Sequence, residues 1–135
     1  MNIDITEKEF RRLLDLVYIG NWVLNSARGE DRFEDYDILQ EKLFALCPSH
    51  GMKSLVQSWM GHISPSEAYE NGGIHEAIAD YEDAVFFDIL AEELARRDLG
   101  LETSDPDDFT ELTVRMEEYL SEFDRNGLSS VSVDL

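Results

Sequence analysis

The sequence predicts an all-α fold: a single-domain helical bundle over residues 1–135, with four main helices plus a short helix. Three observations predict it. Apolar residues recur at three- and four-residue steps over most of the chain, helix-capping residues precede several of these stripes, and no repeat or long linker divides the chain. A chain of 135 residues is long enough to bury one core of ordinary size.

The first helix is predicted from a capping box. Thr6 and Glu9 stand three residues apart, so each side chain can bond to the other residue's backbone N–H. The helix should begin there and run to about Ala27. Its apolar residues cover a wide arc that includes Leu16 and Val23, and this width predicts deep burial.

Two residues inside this helix break its pattern. Gly20 costs roughly 1 kcal/mol relative to alanine in mid-helix, and we interpret it as the place where another helix crosses closely. Asn21 lies in line with apolar residues and is therefore predicted to be a buried amide that needs hydrogen-bond partners.

The middle of the chain predicts three shorter helical pieces. Asp31 is a capping residue for a second helix over about Arg32–Cys47. A regular apolar stripe then predicts a helix over about Met52–His62. Ser64 is predicted to cap one further short turn, with Pro65 at its first position.

The longest helical pattern runs over Ile74–Leu99. Its first half carries apolar residues on one side and acids on the other, and from Phe86 the apolar side changes over. A helix that covers neighbours on two sides is usually central, so we expect the other helices to pack around it. The alternative is an oligomer face formed by Phe86, Leu90 and Leu94.

The C-terminal region predicts one more helix and a tail. The helix should run over about Pro106–Arg125, capped by Ser104 or Asp105. Residues 128–135 alternate apolar and polar side chains. We expect this tail to pair with residues 2–5 in a minor terminal strand pairing, to fray, or to add to a partner's sheet.

Charge is the clearest functional signal. The chain has 30 acidic and 11 basic residues, a net charge of −19, and residues 64–135 hold 20 of those acids and 4 of the bases. Such a field repels phosphates and anionic membranes and attracts basic proteins. We therefore expect a basic protein partner, no direct nucleic acid binding and no membrane binding. The candidate partner-binding carboxylates are Glu76, Asp80, Asp83, Glu111, Glu118 and Glu122.

The sequence carries few signals of catalysis. Cys47, His50, His62 and His75 fall within 29 residues, but their spacing matches no zinc motif. Phosphate-loop and dinucleotide glycine patterns are missing as well. We predict no catalytic residue, no metal site and no cofactor. Since Cys47 is the single cysteine and no leader or membrane span is evident, we expect a cytoplasmic protein, either a monomer or a homodimer.

Two functional hypotheses follow. The first is a non-catalytic acidic interaction protein of the inhibitor, immunity, adaptor or DNA-mimic type, which docks on a basic partner. The second is a small enzyme or ligand-binding bundle with a pocket near Asn21, Tyr81, Asp88 and Glu92, because these polar residues lie on faces that otherwise look buried.

Overall fold

The fold is all-α, as the sequence predicts, with 69% of the described residues helical and a small two-stranded sheet. It comes from a computed structural model that describes residues 1–100 and 109–135. Within these ranges there are four main helices and one short helix of a single turn. Their bounds are Glu7–Asn25 for α1, Glu34–Phe44 for α2, Glu67–Tyr69 for α3, His75–Leu99 for α4 and Phe109–Asn126 for α5.

The chain divides into two compact units, Met1–Ile78 and Ala79–Leu135. The first unit contains α1, α2, a β-hairpin, α3 and the first turn of α4. The second unit contains the rest of α4 together with α5.

The capping box that opens α1 is confirmed. Thr6 Oγ1 accepts a hydrogen bond from the Glu9 N–H at 3.1 Å, and the Glu9 carboxylate accepts from the Thr6 N–H at 2.8 Å. One side of α1 then enters the core of the first unit. The buried side chains of that core are Phe10, Leu14, Tyr18, Phe44, Cys47, Tyr69, Ile74 and Ile78.

The predicted burial of the wide apolar arc of α1 is confirmed for the side that carries Phe10 and Leu14, which are buried, and is wrong for the adjoining side. Leu16 and Val23 are 70% and 69% exposed, because the buried side of the helix is the one that carries Leu14 and Tyr18. The predicted close crossing at Gly20 is also wrong, since a Cβ built there would have no atom within 4 Å. Gly20 lies on the exposed side of the helix.

The start of α2 differs from the prediction. Phe33, and not Asp31, occupies the N-cap position, and it makes no side-chain capping bond. Asp31 turns back into the preceding loop, where it accepts from the Gly29 N–H at 3.1 Å and pairs with Arg28 at 2.9 Å. Such local side-chain bonding competes with helix capping.

The predicted helix over residues 52–62 is wrong. Residues 53–55 form one 3₁₀ turn, followed by strands β1, Val56–Trp59, and β2, His62–Pro65, which pair antiparallel. The two residues between the strands, Met60 and Gly61, have φ values of 49° and 80°. Two positive φ values in a two-residue loop are the signature of a type I′ hairpin turn, and they end any right-handed helix.

The short helix α3 begins two residues later than predicted. Its cap is Ser66, whose hydroxyl accepts from the Tyr69 N–H at 3.2 Å and donates to the Ser54 carbonyl at 2.6 Å. Pro65 instead closes β2. Gly73, with a φ of 112°, then separates α3 from α4.

The expectation of a central helix fails in the middle of α4. Residues 79–84 are all exposed, including Tyr81 at 65%. The predicted change of the buried side is confirmed only in part: Phe86 is exposed and Leu90 and Leu94 are half-buried, but Ile78 is buried in the first unit and Ala91 in the second. Thirteen residues separate them, which places them ~140° apart around the helix axis.

Helix α5 is amphipathic, with Leu112 and Phe123 buried. Gly127, with a φ of 55°, donates its N–H to the Phe123 carbonyl at 2.8 Å, so a glycine in the left-handed conformation caps the C-terminus of the helix. The predicted cap at Ser104 or Asp105 lies outside the described residues. Residues 131–135 are exposed without regular structure, and in the described ranges neither they nor residues 2–5 form a strand.

Candidate functional site

A cavity of about 250 Å³ lies beside Asn21, between α1 and α2, and it is the candidate ligand site that involves this residue. Asn21 Nδ2 donates to Asp37 Oδ1 at 3.0 Å and to Gln40 Oε1 at 3.1 Å. Its carbonyl accepts from Asn25 Nδ2 at 2.6 Å. The prediction that Asn21 is a buried, hydrogen-bonded amide is confirmed.

Asn25 completes this network from the next turn of α1. Its Nδ2 also donates to the Phe33 carbonyl at 3.1 Å, and its Oδ1 accepts from the Phe33 N–H at 2.8 Å. The donors and carbonyls of both amides therefore have partners inside the protein. The network ties the loop before α2 to α1, which is a structural role.

Asp37 is the charged member of the network. Arg32 donates two hydrogen bonds to the Asp37 carboxylate, from Nε to Oδ2 at 3.0 Å and from a terminal guanidinium nitrogen to Oδ1 at 2.9 Å. These bonds, and then the one from Asn21, hold the pKa of Asp37 below its ordinary value. Asp37 is therefore fixed as an ionised carboxylate and is unsuited to act as a general acid near pH 7.

The other residues of the predicted pocket lie elsewhere. The cavity beside Asn21 is lined by first-unit residues alone. Asp88, in the second unit, lines a different cavity, beside Phe87 and Phe123. Glu92 pairs with Arg96 on the same helix at 2.8 Å.

The four metal-ligand candidates are dispersed. His75 bonds to the Tyr18 hydroxyl at 2.7 Å, His50 to Glu7 at 2.7 Å and His62 to Glu41 at 3.3 Å. Cys47 is buried, and burial raises the pKa of its thiol. Among the residues that the structure describes, no three His, Cys, Asp or Glu side chains are grouped to hold a metal ion.

The second unit is distinguished by the local ion pairs that its arginines form. Each of its four arginines pairs with a carboxylate of the same unit, within four positions along the chain. These ion pairs are Arg96–Glu92 at 2.8 Å, Arg97–Asp98 at 2.8 Å, Arg115–Glu118 at 3.1 Å and Arg125–Glu122 at 3.8 Å. The guanidinium groups of these four arginines are therefore already paired with carboxylates of their own unit.

The remaining carboxylates of the second unit's helices have no positive partner in the described part of the chain. All of them are exposed. They are Asp80, Glu82, Asp83, Asp88, Glu93, Glu111, Glu117 and Asp124.

Five of the six predicted partner-binding residues fall into these two groups, and the sixth, Glu76, lies in the first unit. Asp80, Asp83 and Glu111 are exposed and unpaired, as is Glu76 in the first unit. Glu118 pairs with Arg115, and Glu122 accepts from Ser130 at 2.7 Å and Asn126 at 2.9 Å. These two bonds hold the pKa of Glu122 below its ordinary value.

Exposed apolar residues accompany the unpaired acids on α4. Phe86 is 46% exposed and Ile89 is 59% exposed, and Glu82 and Glu93 lie on the same side of the helix. Of the predicted oligomer face, Phe86 is exposed, whereas Leu90 and Leu94 are half-buried. Sequence reasoning missed Ile89, although its three-residue spacing from Phe86 was a usable signal.

No protein-family model, curated protein or solved structure matches this chain. Within the described ranges, the structure holds no helix that is both long and apolar enough to cross a membrane.

Proposed function

We propose that this is a non-catalytic acidic interaction protein, of the inhibitor, immunity, adaptor or DNA-mimic type, which docks on a basic protein through its second unit. One observation carries the proposal. All four arginines of that unit are engaged in local ion pairs, while eight exposed carboxylates have no positive partner among the described residues.

These exposed carboxylates produce a negative electrostatic field around the second unit. Exposed like charges repel one another, and an approaching basic surface relieves that repulsion. The same field repels nucleic acid phosphates and anionic lipid, so a basic protein is the complementary partner. Complementary charge of this kind raises the association rate and makes binding sensitive to salt. The proposal includes a cytoplasmic location, where such a partner is reached without crossing a membrane.

The ligand-binding alternative gains no support from the cavity beside Asn21. The amide groups of Asn21 and Asn25 already have partners within the protein. A ligand would have to break that network to use them, at a cost of about 1–3 kcal/mol for each polar group left unpaired.

To test the proposal, the full chain is immobilised and used to capture binding partners from a cell lysate at low salt. The bound proteins are then eluted in steps of increasing salt. Two variants with equal charge change are compared with the natural chain. One carries Asp80→Asn, Glu82→Gln and Asp83→Asn in the second unit. The matched control carries Asp4→Asn, Glu30→Gln and Glu34→Gln, which are exposed and unpaired carboxylates of the first unit.

A single basic protein that elutes sharply, is lost with the second-unit variant and is retained by the control supports the proposal. Equal loss with both variants indicates attraction to net charge alone and contradicts a specific surface. An eluate without a defined partner also contradicts the proposal.

A further inference from the structure

We propose that one stripe of α4, made of Glu82, Phe86, Ile89 and Glu93, is the docking site for a basic amphipathic helix of the partner. This inference rests on the proposed function and specifies the surface and the partner's chemistry. We call these four residues the α4 stripe.

The geometry of the stripe is that of a helix-docking face. Its residues are spaced by four, three and four positions, so they lie within ~60° of one another around the helix axis. They extend over ~16 Å of α4, about three turns. All four side chains are exposed. The stripe therefore forms one continuous strip along the outside of the helix.

Its centre is apolar and backed by the core of the second unit. The Phe86 ring contacts the Phe87 ring with centroids 5.0 Å apart, and Phe87 contacts Phe123 at 5.3 Å. Phe123 is buried. An aromatic side chain supported in this way loses little freedom on binding, which is the property of an anchor residue in an interface. Ile89, one turn further along, widens the apolar centre.

The ends of the stripe determine what can cover it. Glu82 and Glu93 are free carboxylates on either side of Phe86 and Ile89. A second copy of the chain, docked stripe to stripe, would place carboxylate against carboxylate in either orientation. An anionic membrane is repelled in the same way. The charges therefore favour a helix whose own apolar centre is bracketed by lysine or arginine.

The spacing makes that partner specific. A partner helix would match the α4 stripe if it carried two apolar residues three positions apart. One basic residue would lie four positions before the first of them, and another four positions after the second. Because the pattern reads the same in both directions, it fits a partner helix that runs parallel or antiparallel to α4. Helices packed in this manner cross at about 20° and lie 8–10 Å apart.

The probe is an alanine-based helical peptide that carries lysine, leucine, leucine and lysine at spacings of four, three and four. Its control has the same composition in shuffled order, so that leucine and lysine share no face. Both are titrated into the full-length protein while backbone amide chemical shifts are recorded. We expect shift changes centred on residues 82–93 and a Kd at least about tenfold lower for the matched peptide.

A charge reversal gives the sharper test. The Glu82→Lys/Glu93→Lys protein should reject the lysine peptide and bind the corresponding glutamate peptide. The matched control, Glu111→Lys/Glu117→Lys on α5, should keep its preference for the lysine peptide, because those exposed carboxylates lie outside the stripe.

Several outcomes would overturn the inference. They are equal binding of matched and shuffled peptides, shift changes centred on α5, equal effects of the two charge reversals, or a protein dimer that Phe86→Asp converts to monomer. If the captured partner persists with Phe86→Ser/Ile89→Ser, the α4 stripe fails while the proposed function stands. If no partner is captured at all, the proposed function itself fails.

Discussion

The Tyr69 hydroxyl donates a hydrogen bond to Asp15 Oδ1 at 2.8 Å, across 54 positions of the chain. Asp15 also accepts from Arg11 at 2.6 Å, and the Arg11 guanidinium lies 5.0 Å from the centre of the Tyr69 ring. Tyr69 is only 1% exposed. This contact fastens α3 to α1 in the core of the first unit.

Replacing Tyr69 with Phe should therefore lower the free energy of unfolding by about 1–3 kcal/mol, because hydrogen bonds to a charged acceptor contribute more than neutral ones. Urea unfolding at pH 7 measures the change. Tyr81→Phe is the matched control, since Tyr81 is largely exposed and has no hydrogen bond in the described structure, and we expect less than about 0.5 kcal/mol there. Equal effects of the two substitutions would contradict the assigned role of Tyr69.

The same contact has a pH dependence. Burial, and then the bond to Asp15, raise the pKa of Tyr69 above its ordinary value of 10.0. The folded state therefore holds this proton more tightly, so its contribution to stability is complete below pH 10 and is lost as the pH rises beyond it. The stability difference between the natural chain and Tyr69→Phe should shrink between pH 9 and pH 11. A difference that grows over this range would contradict the assignment.

Asn25 carries the second stability prediction. It is fully buried, and its amide bonds to Asn21 and to both backbone groups of Phe33. Asn25→Ala should cost about 1–3 kcal/mol, since it leaves these groups without their partner. Thermal unfolding compared with Ser26→Ala, an exposed neighbour, checks this. A neutral Asn25→Ala would show that the network does not hold the loop before α2.

Local signals explain what the sequence could predict. The capping box of Thr6 and Glu9 depends on residues three positions apart, so it can be recognised without knowledge of distant neighbours. The buried amide of Asn21 also followed from its place in the apolar stripe of α1.

The hairpin was missed because its apolar residues satisfy the helical period as well. What decides between helix and hairpin is the left-handed turn at Met60 and Gly61, where methionine is an unusual choice. The β-prone residues Val56 and Trp59 were the available signal.

The α4 stripe was missed for a different reason. Helical periodicity places Phe86 near Leu90 and Leu94 equally well, and only the surroundings decide which of them is covered. In the structure Leu90 and Leu94 are half-buried, whereas Phe86 is exposed together with Ile89. Since burial depends on distant parts of the chain, periodicity in one helix cannot supply it.

The hairpin turn yields a stabilising prediction. Met60 adopts a φ of 49°, a conformation that costs a non-glycine residue about 1–2 kcal/mol and that asparagine tolerates far better. Met60→Asn creates Asn-Gly, the preferred pair for a type I′ turn. It should raise the free energy of unfolding by about 0.5–1 kcal/mol, measured by urea unfolding. Met60→Val, a β-branched residue poorly suited to positive φ, should lower it; a reversed order would contradict the turn assignment.

The last prediction compares alanine substitutions at Gly20 and Gly73, which should change the free energy of unfolding in opposite directions. A Cβ at Gly20 would have no atom within 4 Å, and the residue lies inside α1 on its exposed side. Gly20→Ala should therefore stabilise the protein by about 0.4–1 kcal/mol, because alanine restricts the unfolded chain and favours helix.

Gly73 is the matched control, because its φ of 112° is one that alanine rarely adopts. Gly73→Ala should destabilise the protein by more than about 1 kcal/mol, although it too has no atom near an added Cβ. Thermal unfolding of both variants separates backbone conformation from packing as the cause. If Gly20→Ala were instead destabilising by more than 1 kcal/mol, a neighbouring surface would have to approach α1 at Gly20, and the exposed side that carries Leu16 and Val23 would have to be covered as well.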